Sequence, residues 1–151
     1  MKNIKIEIHT NLSDVLRKNW ISFQSDAIIK TPFQSFEWVS HWYNHIGGPL
    51  FLYRLQIVLL YNCQSLVAIL PLAIKRHYGF KILEWVGLHQ ADYMGPIVHK
   101  DFPTQSEKVW AKIKHKLEKF DIIDFQKQNK ESIEFLMKIG FRFKSHNYIN
   151  A

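Results

Sequence analysis

The spacing of apolar residues changes near the start of the chain from a strand period to a helix period. Isoleucines at positions 4, 6 and 8 alternate with polar residues, which indicates a strand with one buried face. Apolar residues spaced by three and four then predict a helix over about 13–26. A second helix is expected from Ser35, a suitable N-cap, to the turn at 47–49.

Three apolar segments in the middle of the chain predict an antiparallel meander. Residues 50–61 and 66–74 contain long apolar runs separated by a short polar turn, which indicates a hairpin covered on both faces. Residues 80–86 alternate as a third strand, and 96–98 suggest a short edge strand. Pro71 has no amide proton, so we expect a bulge there or the point where its strand leaves a neighbour.

The last part of the chain predicts two more helices and two short strands. The capping-box spacing of 104–107 predicts a helix over about 105–119. A strand is expected at 122–125, followed by a helix that Gly140 ends and by a final strand from Phe141. This order implies a layered α+β fold, in which helices flank a mixed, mostly antiparallel sheet.

Length and composition favour one globular domain over residues 1–151. The 151 residues suffice for one core and are too few for two domains of ordinary size. Hydrophobic residues make up 47% of the chain and aromatic residues 15%, which excludes disorder. So many aromatic side chains fit either a well-filled interior or a surface that contacts a partner.

Net charge and cysteine content limit the classes of function and the cellular locations to be considered. A formal net charge of +7 attracts polyanions, but nucleic-acid binding would rest on charge alone because no RRM-type aromatic strand motif is found. The single cysteine, Cys63, excludes an intrachain disulfide and a CxxC motif and indicates a reducing, cytoplasmic setting. The sequence shows neither a signal-peptide pattern nor an apolar run of the roughly 20 residues that span a bilayer.

Several short motifs, taken together and in order, resemble the CelD-like acetyltransferases, which belong to the FemAB-type branch of the GNAT acyltransferase superfamily. The motifs are Pro32-Phe33-Gln34-Ser35 with Trp38 and Trp42, Val67-Ala68-Ile69-Leu70-Pro71-Leu72, Glu84-Trp85-Val86-Gly87 and Asp92-Tyr93-Met94-Gly95-Pro96. The resemblance covers about 32–98 and implies a GNAT-like domain that serves acyl transfer from acetyl-CoA or another acyl-CoA to an amine or hydroxyl, often in cell-envelope or polysaccharide metabolism.

Members of that family usually contain two GNAT-like halves, and this chain resembles the N-terminal half only. A truncated enzyme is therefore expected, whose partner is a second GNAT-like domain or another copy of the chain and whose acceptor is a small molecule or glycan. No Q/R-x-x-G-x-G/A pattern precedes a helix, so no residues for binding the acyl-CoA diphosphate are identified. Whether the chain is active alone stays open.

The candidate catalytic residues lie in the polar segment after the third meander strand. Asp92 could act as a general base and Tyr93 as a general acid, a reading drawn mainly from the family pattern. His89 is the alternative base. A purely structural reading is that Asp92 caps a turn and that Tyr93 packs its ring.

The candidate substrate-binding residues lie on the second helix and just before it. Gln34, Trp38 and Trp42 could line a groove in which the indoles stack on a sugar or acyl group, although aromatic residues at helical spacing also fill cores. His41 and His45 have the spacing of a metal-binding pair, but no third ligand accompanies them and no metal is predicted. The alternative to an acyltransferase is a non-catalytic binding module with a basic, aromatic surface.

Overall fold

A mixed β-sheet forms the centre of the molecule in the computed structural model, which describes residues 3–49, 52–87, 90–104 and 106–143. The strands are β1 (Ile4–His9), β2 (Tyr53–Asn62), β3 (Ser65–His77), β4 (Phe80–Trp85), β5 (Ile97–Val98) and β6 (Ile122–Asp124). The helices are α1 (Asp14–Asp26), α2 (Phe36–Trp42), α3 (Val109–Lys116) and α4 (Lys130–Lys138), with a 3-10 turn at Pro32–Gln34 and a π-helical turn at Tyr43–Gly47. This architecture confirms the predicted α+β fold.

The strand order explains how the two ends of the sheet differ. Within the described residues the order is β1-β2-β3-β4-β6, and β5 pairs with β3 beyond the end of β4. Strands β1 to β4 pair antiparallel, as the predicted meander requires. Strands β4 and β6 are parallel, because α3 lies between them in the chain and returns it to the same end of the sheet. The sheet therefore combines a meander with a single described crossover.

The central strands are buried on both faces, which accounts for their continuous apolar sequences. On the face that α3 and α4 cover, called the α3 face, Val58 and Leu70 pack with Ile113. On the opposite face, called the α2 face, Ile57 and Ile69 pack with residues of α1 and α2. Successive side chains of a strand point to opposite faces, so these neighbouring positions serve two separate cores.

Of the two alternatives expected at Pro71, the structure shows the change of neighbouring strand and not the bulge. The β2–β3 register is continuous at Pro71, opposite Ile57, and shifts instead between Leu60 and Tyr61. The predicted bulge is therefore not at the proline. On the other edge of β3, Pro71 lies between the segment paired with β4 and the segment paired with β5. Its carbonyl accepts a hydrogen bond from Val86 at 2.9 Å, so its missing amide proton faces the gap between those neighbours.

The predicted helix over 105–119 is wrong in extent, since α3 covers only Val109–Lys116. The capping box does not form: the N-cap is Lys108, without a side-chain cap, and the hydroxyl of Ser106 donates to the carbonyl of Pro103 at 3.1 Å. The amide of Trp110 donates to the carbonyl of Ile139 at 2.8 Å. This tertiary contact sets the start of the helix in place of the local capping pattern.

The end of α4 is confirmed and the final strand is not found. Asn129 caps α4 by accepting from the amide of Ser132 at 2.9 Å, and Gly140 ends it with a φ of +99°. Residues 141–143 lie in no strand, and the rest of the predicted strand falls outside the described residues. Phe141 instead packs against Phe125, with ring centroids 5.4 Å apart. No helix among the described residues is long and apolar enough to span a membrane.

Candidate functional site

A buried carboxyl group lies where the parallel strands β4 and β6 end their pairing. Register places Leu55, Ala73, Glu84 and Asp124 in one row across four strands on the α2 face. Glu84 thus has a small side chain on one side and a second carboxylate on the other. Ligands commonly bind at the carboxyl ends of parallel strands, which is where this row lies.

Glu84 is buried although it carries a carboxyl group. Glu84 is only 2% exposed, and its Oε2 atom has no hydrogen-bond partner among the described residues. Burial raises the pKa of Glu84 to about 7, the Lys75 ammonium opposes this shift, and the Asp124 carboxylate adds to it. A carboxyl group that exchanges its proton near neutral pH is suited to general acid–base chemistry.

Tyr53 extends the site along the α2 face. It lies opposite Lys75 in the neighbouring row, and the Lys75 ammonium is 5.9 Å from the centroid of its ring. Burial raises the pKa of Tyr53 to about 12, and the charge of Glu84 contributes to the shift. The phenol therefore stays protonated at neutral pH and can donate a hydrogen bond beside the carboxyl group.

Trp42 links Tyr53 to the loop at 90–96, which carries the predicted catalytic pair Asp92 and Tyr93. Its ring packs edge-on against Tyr53 with centroids 5.0 Å apart. Its indole N–H donates to the side-chain oxygen of Gln90 at 3.0 Å. Trp42 is 3% exposed, so it supports the loop from inside the protein, and its predicted contact with substrate stays a prediction.

The 90–96 loop is held at both ends and exposed in the middle. The Lys127 ammonium donates to the carbonyl of Ala91 at 2.8 Å, and the Lys127 carbonyl accepts from the amide of Met94 at 3.0 Å. Between these contacts Asp92 is exposed and Tyr93 is 54% exposed. The loop therefore presents both side chains to solvent, as a catalytic or binding pair requires, and their chemical role stays a prediction. His89 lies outside the described residues.

Gln34 anchors the far end of the same loop. It is 2% exposed, its side-chain nitrogen donates to the carbonyl of Pro96 at 3.2 Å, and its side-chain oxygen accepts from the amide of Thr31 at 2.6 Å. The side-chain amide is thus engaged inside the protein. Contact with a substrate would require one of these hydrogen bonds to break, so a supporting function is better founded here, and substrate binding stays a prediction.

Trp38 packs where β4 ends. Its half-buried ring lies against Gly87, where any added Cβ atom would overlap the indole, and edge-on to Phe33 at 5.6 Å between centroids. Gly87 also has a φ of +91°, which glycine adopts without strain. Trp38 is therefore part of the packing between α2 and the sheet, and its predicted contact with substrate is untested.

The other reactive side chains do not join this site. His41 and His45 have ring centroids 4.3 Å apart, yet no group of three or more potential ligands exists among the described residues. Cys63 is exposed in the β2–β3 turn.

The start of α3, where a helix could hold a diphosphate, is packed against the protein. The Trp110 amide is bonded to Ile139, and the carbonyl of Glu107 abuts Gly140. The described residues therefore do not fit the diphosphate of an acyl-CoA at this helix start.

Glu84 and Tyr53 were not singled out from the sequence. Glu84 occupies a polar position in an alternating strand, which normally indicates a solvent-facing side chain. The sequence nevertheless pointed to a covered strand. Glu84 lies in the strand that comes after two strands with continuous apolar runs, and it precedes Trp85 in one of the motifs of the family resemblance.

Fold and site together define an α+β domain with a buried carboxyl group, whose pKa is raised to about 7, at the end of a parallel strand pair. Comparisons with protein families, with curated proteins and with solved structures find no significant match to this chain. The function therefore has to be argued from the site.

Proposed function

We propose that this chain is the acceptor-binding, GNAT-like domain of a CelD/FemAB-type acyltransferase, in which Glu84 is the general base. The observation that carries the proposal is the buried Glu84 carboxyl group, with its pKa near 7, at the carboxyl end of the β4–β6 pair. The motif resemblance and the strand order, with an antiparallel meander followed by one parallel crossover, support the same assignment.

The chemistry assigned to this chain is removal of a proton from the acceptor. An amine or hydroxyl bound beside Trp42 and Tyr53 gives its proton to the Glu84 carboxylate and becomes the nucleophile. Tyr53 donates a hydrogen bond that orients the acceptor, and Asp92 and Tyr93 contribute from the rim of the loop. When bound, the acyl-CoA would supply the activated acyl group: its thioester C–S bond would break as the bond to the acceptor forms, and CoA would leave as the thiol with the proton taken from the acceptor.

The donor is assigned to a second domain or a second copy of the chain. The packed start of α3 supports this division of the site. An exposed apolar strip also supports it: Phe80 is 53% and Ile122 is 46% exposed, and on the α2 face Ile122 lies in the row next to that of Glu84 and Phe80 lies one row further away. A partner that covered the strip would lie next to the Glu84 row. The lone cysteine supports a cytoplasmic location for such an enzyme.

Acceptor binding can be tested by NMR on the indole N–H of Trp42, assigned with the Trp42→Phe variant. We expect some members of a panel of amines, amino sugars and neutral sugars to shift this signal. Glu84→Gln should weaken the binding of amines, whereas Asp101→Asn, which neutralises an exposed carboxylate elsewhere, should not. If no compound shifts the signal at about 10 mM, a concentration that detects even very weak sites, the proposal is wrong.

A calorimetric titration with acetyl-CoA tests where the donor binds. The chain alone should bind acetyl-CoA no more tightly than adenosine monophosphate, because the described start of α3 offers no free cradle for the diphosphate. Micromolar binding to this chain would contradict the divided site while leaving Glu84 as the base.

Exposed aromatic side chains favour the second candidate function, a non-catalytic binding module. Tyr78 is 89% exposed in the β3–β4 turn, and Phe80 follows two residues later. If this function is the correct one, a Tyr78→Ser variant will lose glycan or partner binding, whereas Glu84→Gln will retain it.

A further inference from the structure

A cavity of about 420 Å³ lies at the end of the sheet formed by the start of β2 and the β3–β4 hairpin. Its size falls in the range of small-molecule sites. The side chains that matter for its chemistry are Tyr43, Tyr53, Arg54, Arg76, Lys81 and Glu118. No part of the proposed acyl-transfer chemistry uses its charged groups.

Three cations converge on this cavity from the α3 face of adjacent strands. Arg76 lies directly opposite Lys81, and Arg54 projects from the next strand on the same face. Like charges directly opposite each other destabilise a sheet, so an anion bound between Arg76 and Lys81 would be stabilising.

Glu118 compensates only part of this charge. Its carboxylate oxygens lie 3.2 Å from the Nε atom of Arg54 and 3.3 Å from the Nζ atom of Lys81. Arg76 has no ion pair among the described residues. Among the lining residues three cations face one carboxylate, and the Asp121 carboxylate lies close by, accepting from the backbone amide of Lys81 at 2.8 Å. An excess of one to two positive charges remains, which suits the charge of about −1.5 to −2 on a phosphate monoester at neutral pH.

Two tyrosines give the cavity an aromatic wall. Gly48 lies against the ring of Tyr43, where an added Cβ atom would be only 3.3 Å from two ring atoms. Tyr53 is held by its edge-on contact with Trp42. Both rings are thus fixed in place, and fixed rings bind planar or apolar groups with little loss of side-chain entropy.

We propose that this cavity binds a phosphate-bearing small molecule, with its phosphate on Arg76, Lys81 and Arg54 and its planar or apolar body against Tyr43 and Tyr53. The Arg76 guanidinium, which has no ion pair with the residues that the structure describes, makes the main contact with the phosphate. Both proposed sites use Tyr53, but the cations lie on the face of the strands opposite Glu84 and the phosphate site requires no reaction, so substitution of Arg76 tests it separately from the acyltransferase proposal.

Calorimetric titration with phenyl phosphate and with inorganic phosphate, at constant ionic strength, tests the proposal. Phenyl phosphate should bind more tightly than inorganic phosphate because it adds the aromatic contact. Arg76→Gln should weaken phenyl phosphate roughly tenfold or more, since a charge-assisted bidentate contact is lost. Lys100→Gln removes the same charge near the opposite end of β3, where the amide of His99 bonds to Val67, and should change affinity less than about twofold.

Glu118→Gln should have the opposite effect to Arg76→Gln and increase the affinity for phosphate. It removes the carboxylate that competes for Arg54 and Lys81, so phosphate should bind several-fold more tightly, roughly as expected for one charge near a surface site. Circular dichroism and urea unfolding would show that the variant is folded.

Three results would overturn the proposal. One is binding of both probes weaker than about 10 mM. Another is an equal loss of affinity in Arg76→Gln and Lys100→Gln, which would mean that net charge alone attracts the anion. Equal affinity for phenyl phosphate and inorganic phosphate would reject the aromatic contact and assign the cavity to the free anion.

Discussion

Replacement of Glu84 by glutamine should have an effect on stability that increases with pH. The side chain is 2% exposed, and its pKa is raised from 4.5 to about 7. A pKa that is higher in the folded state means that the folded protein binds the proton more tightly than the unfolded chain. Stability from this group is therefore fully present below 4.5 and is lost as the pH rises through about 7.

The difference between the two pKa values sets the magnitude. At about 1.36 kcal/mol per pH unit, ionisation of Glu84 in the folded protein lowers the free energy of unfolding by about 3 kcal/mol at pH values above 7. The glutamine side chain of the variant does not ionise and keeps nearly the same shape. Relative to the wild type, the variant should therefore gain about 3 kcal/mol between acid and weakly alkaline pH.

Urea unfolding followed by tryptophan fluorescence, from about pH 5 to about pH 8.5, measures this gain. The difference between the two proteins is the quantity to plot, because other groups also titrate. Glu7 works in the opposite direction, since a hydrogen bond from Lys5 lowers its pKa and its contribution is lost as the pH falls. That contribution is common to both proteins and cancels. A difference that does not change with pH would refute both the raised pKa and the choice of Glu84 as the base.

Three further substitutions test the surroundings of the site. Gly87→Ala should destabilise the protein by about 2–4 kcal/mol, measured by urea unfolding, because the φ of +91° and the ring of Trp38 both exclude a Cβ atom. Trp42→Phe removes the donor to Gln90 and should cost about 1 kcal/mol, with faster hydrogen exchange of the loop amides. Asp92→Asn should change stability by less than about 0.5 kcal/mol because the side chain is exposed, so any larger loss of acceptor binding would be chemical.

The central strands could be predicted because a strand that is buried on both faces has a continuous run of apolar residues. The apolar run at 57–60 allows no polar face, and the structure buries all four residues. The start of α3 could not be predicted in the same way. Its local capping pattern was overridden by contacts with Ile139 and Gly140, which are remote in sequence. Short-range patterns decide an element's boundary only where tertiary contacts leave it free.

The site was predicted only in part, for a related reason. The polar loop at 90–96 could be expected because its residues follow a strand without periodicity. Its support by Gln34 and Trp42 required knowledge of which side chains meet across the fold. Glu84 shows the same limit, since alternation places it on one face of β4 but does not reveal whether that face is covered.

Both candidate sites depend on the same strand register. Tyr53 and Arg54 are neighbours in β2, as are Lys75 and Arg76 in β3, and in each pair the first residue serves the α2 face and the second serves the α3 face. A shift of one residue would exchange the two sets of side chains. The two-residue turn at 78–79, in which both residues have positive φ, fixes this register between β3 and β4. The positions of Glu84 and Lys81 relative to β3 therefore both follow from this one hairpin turn, whereas those of Tyr53 and Arg54 follow from the β2–β3 register.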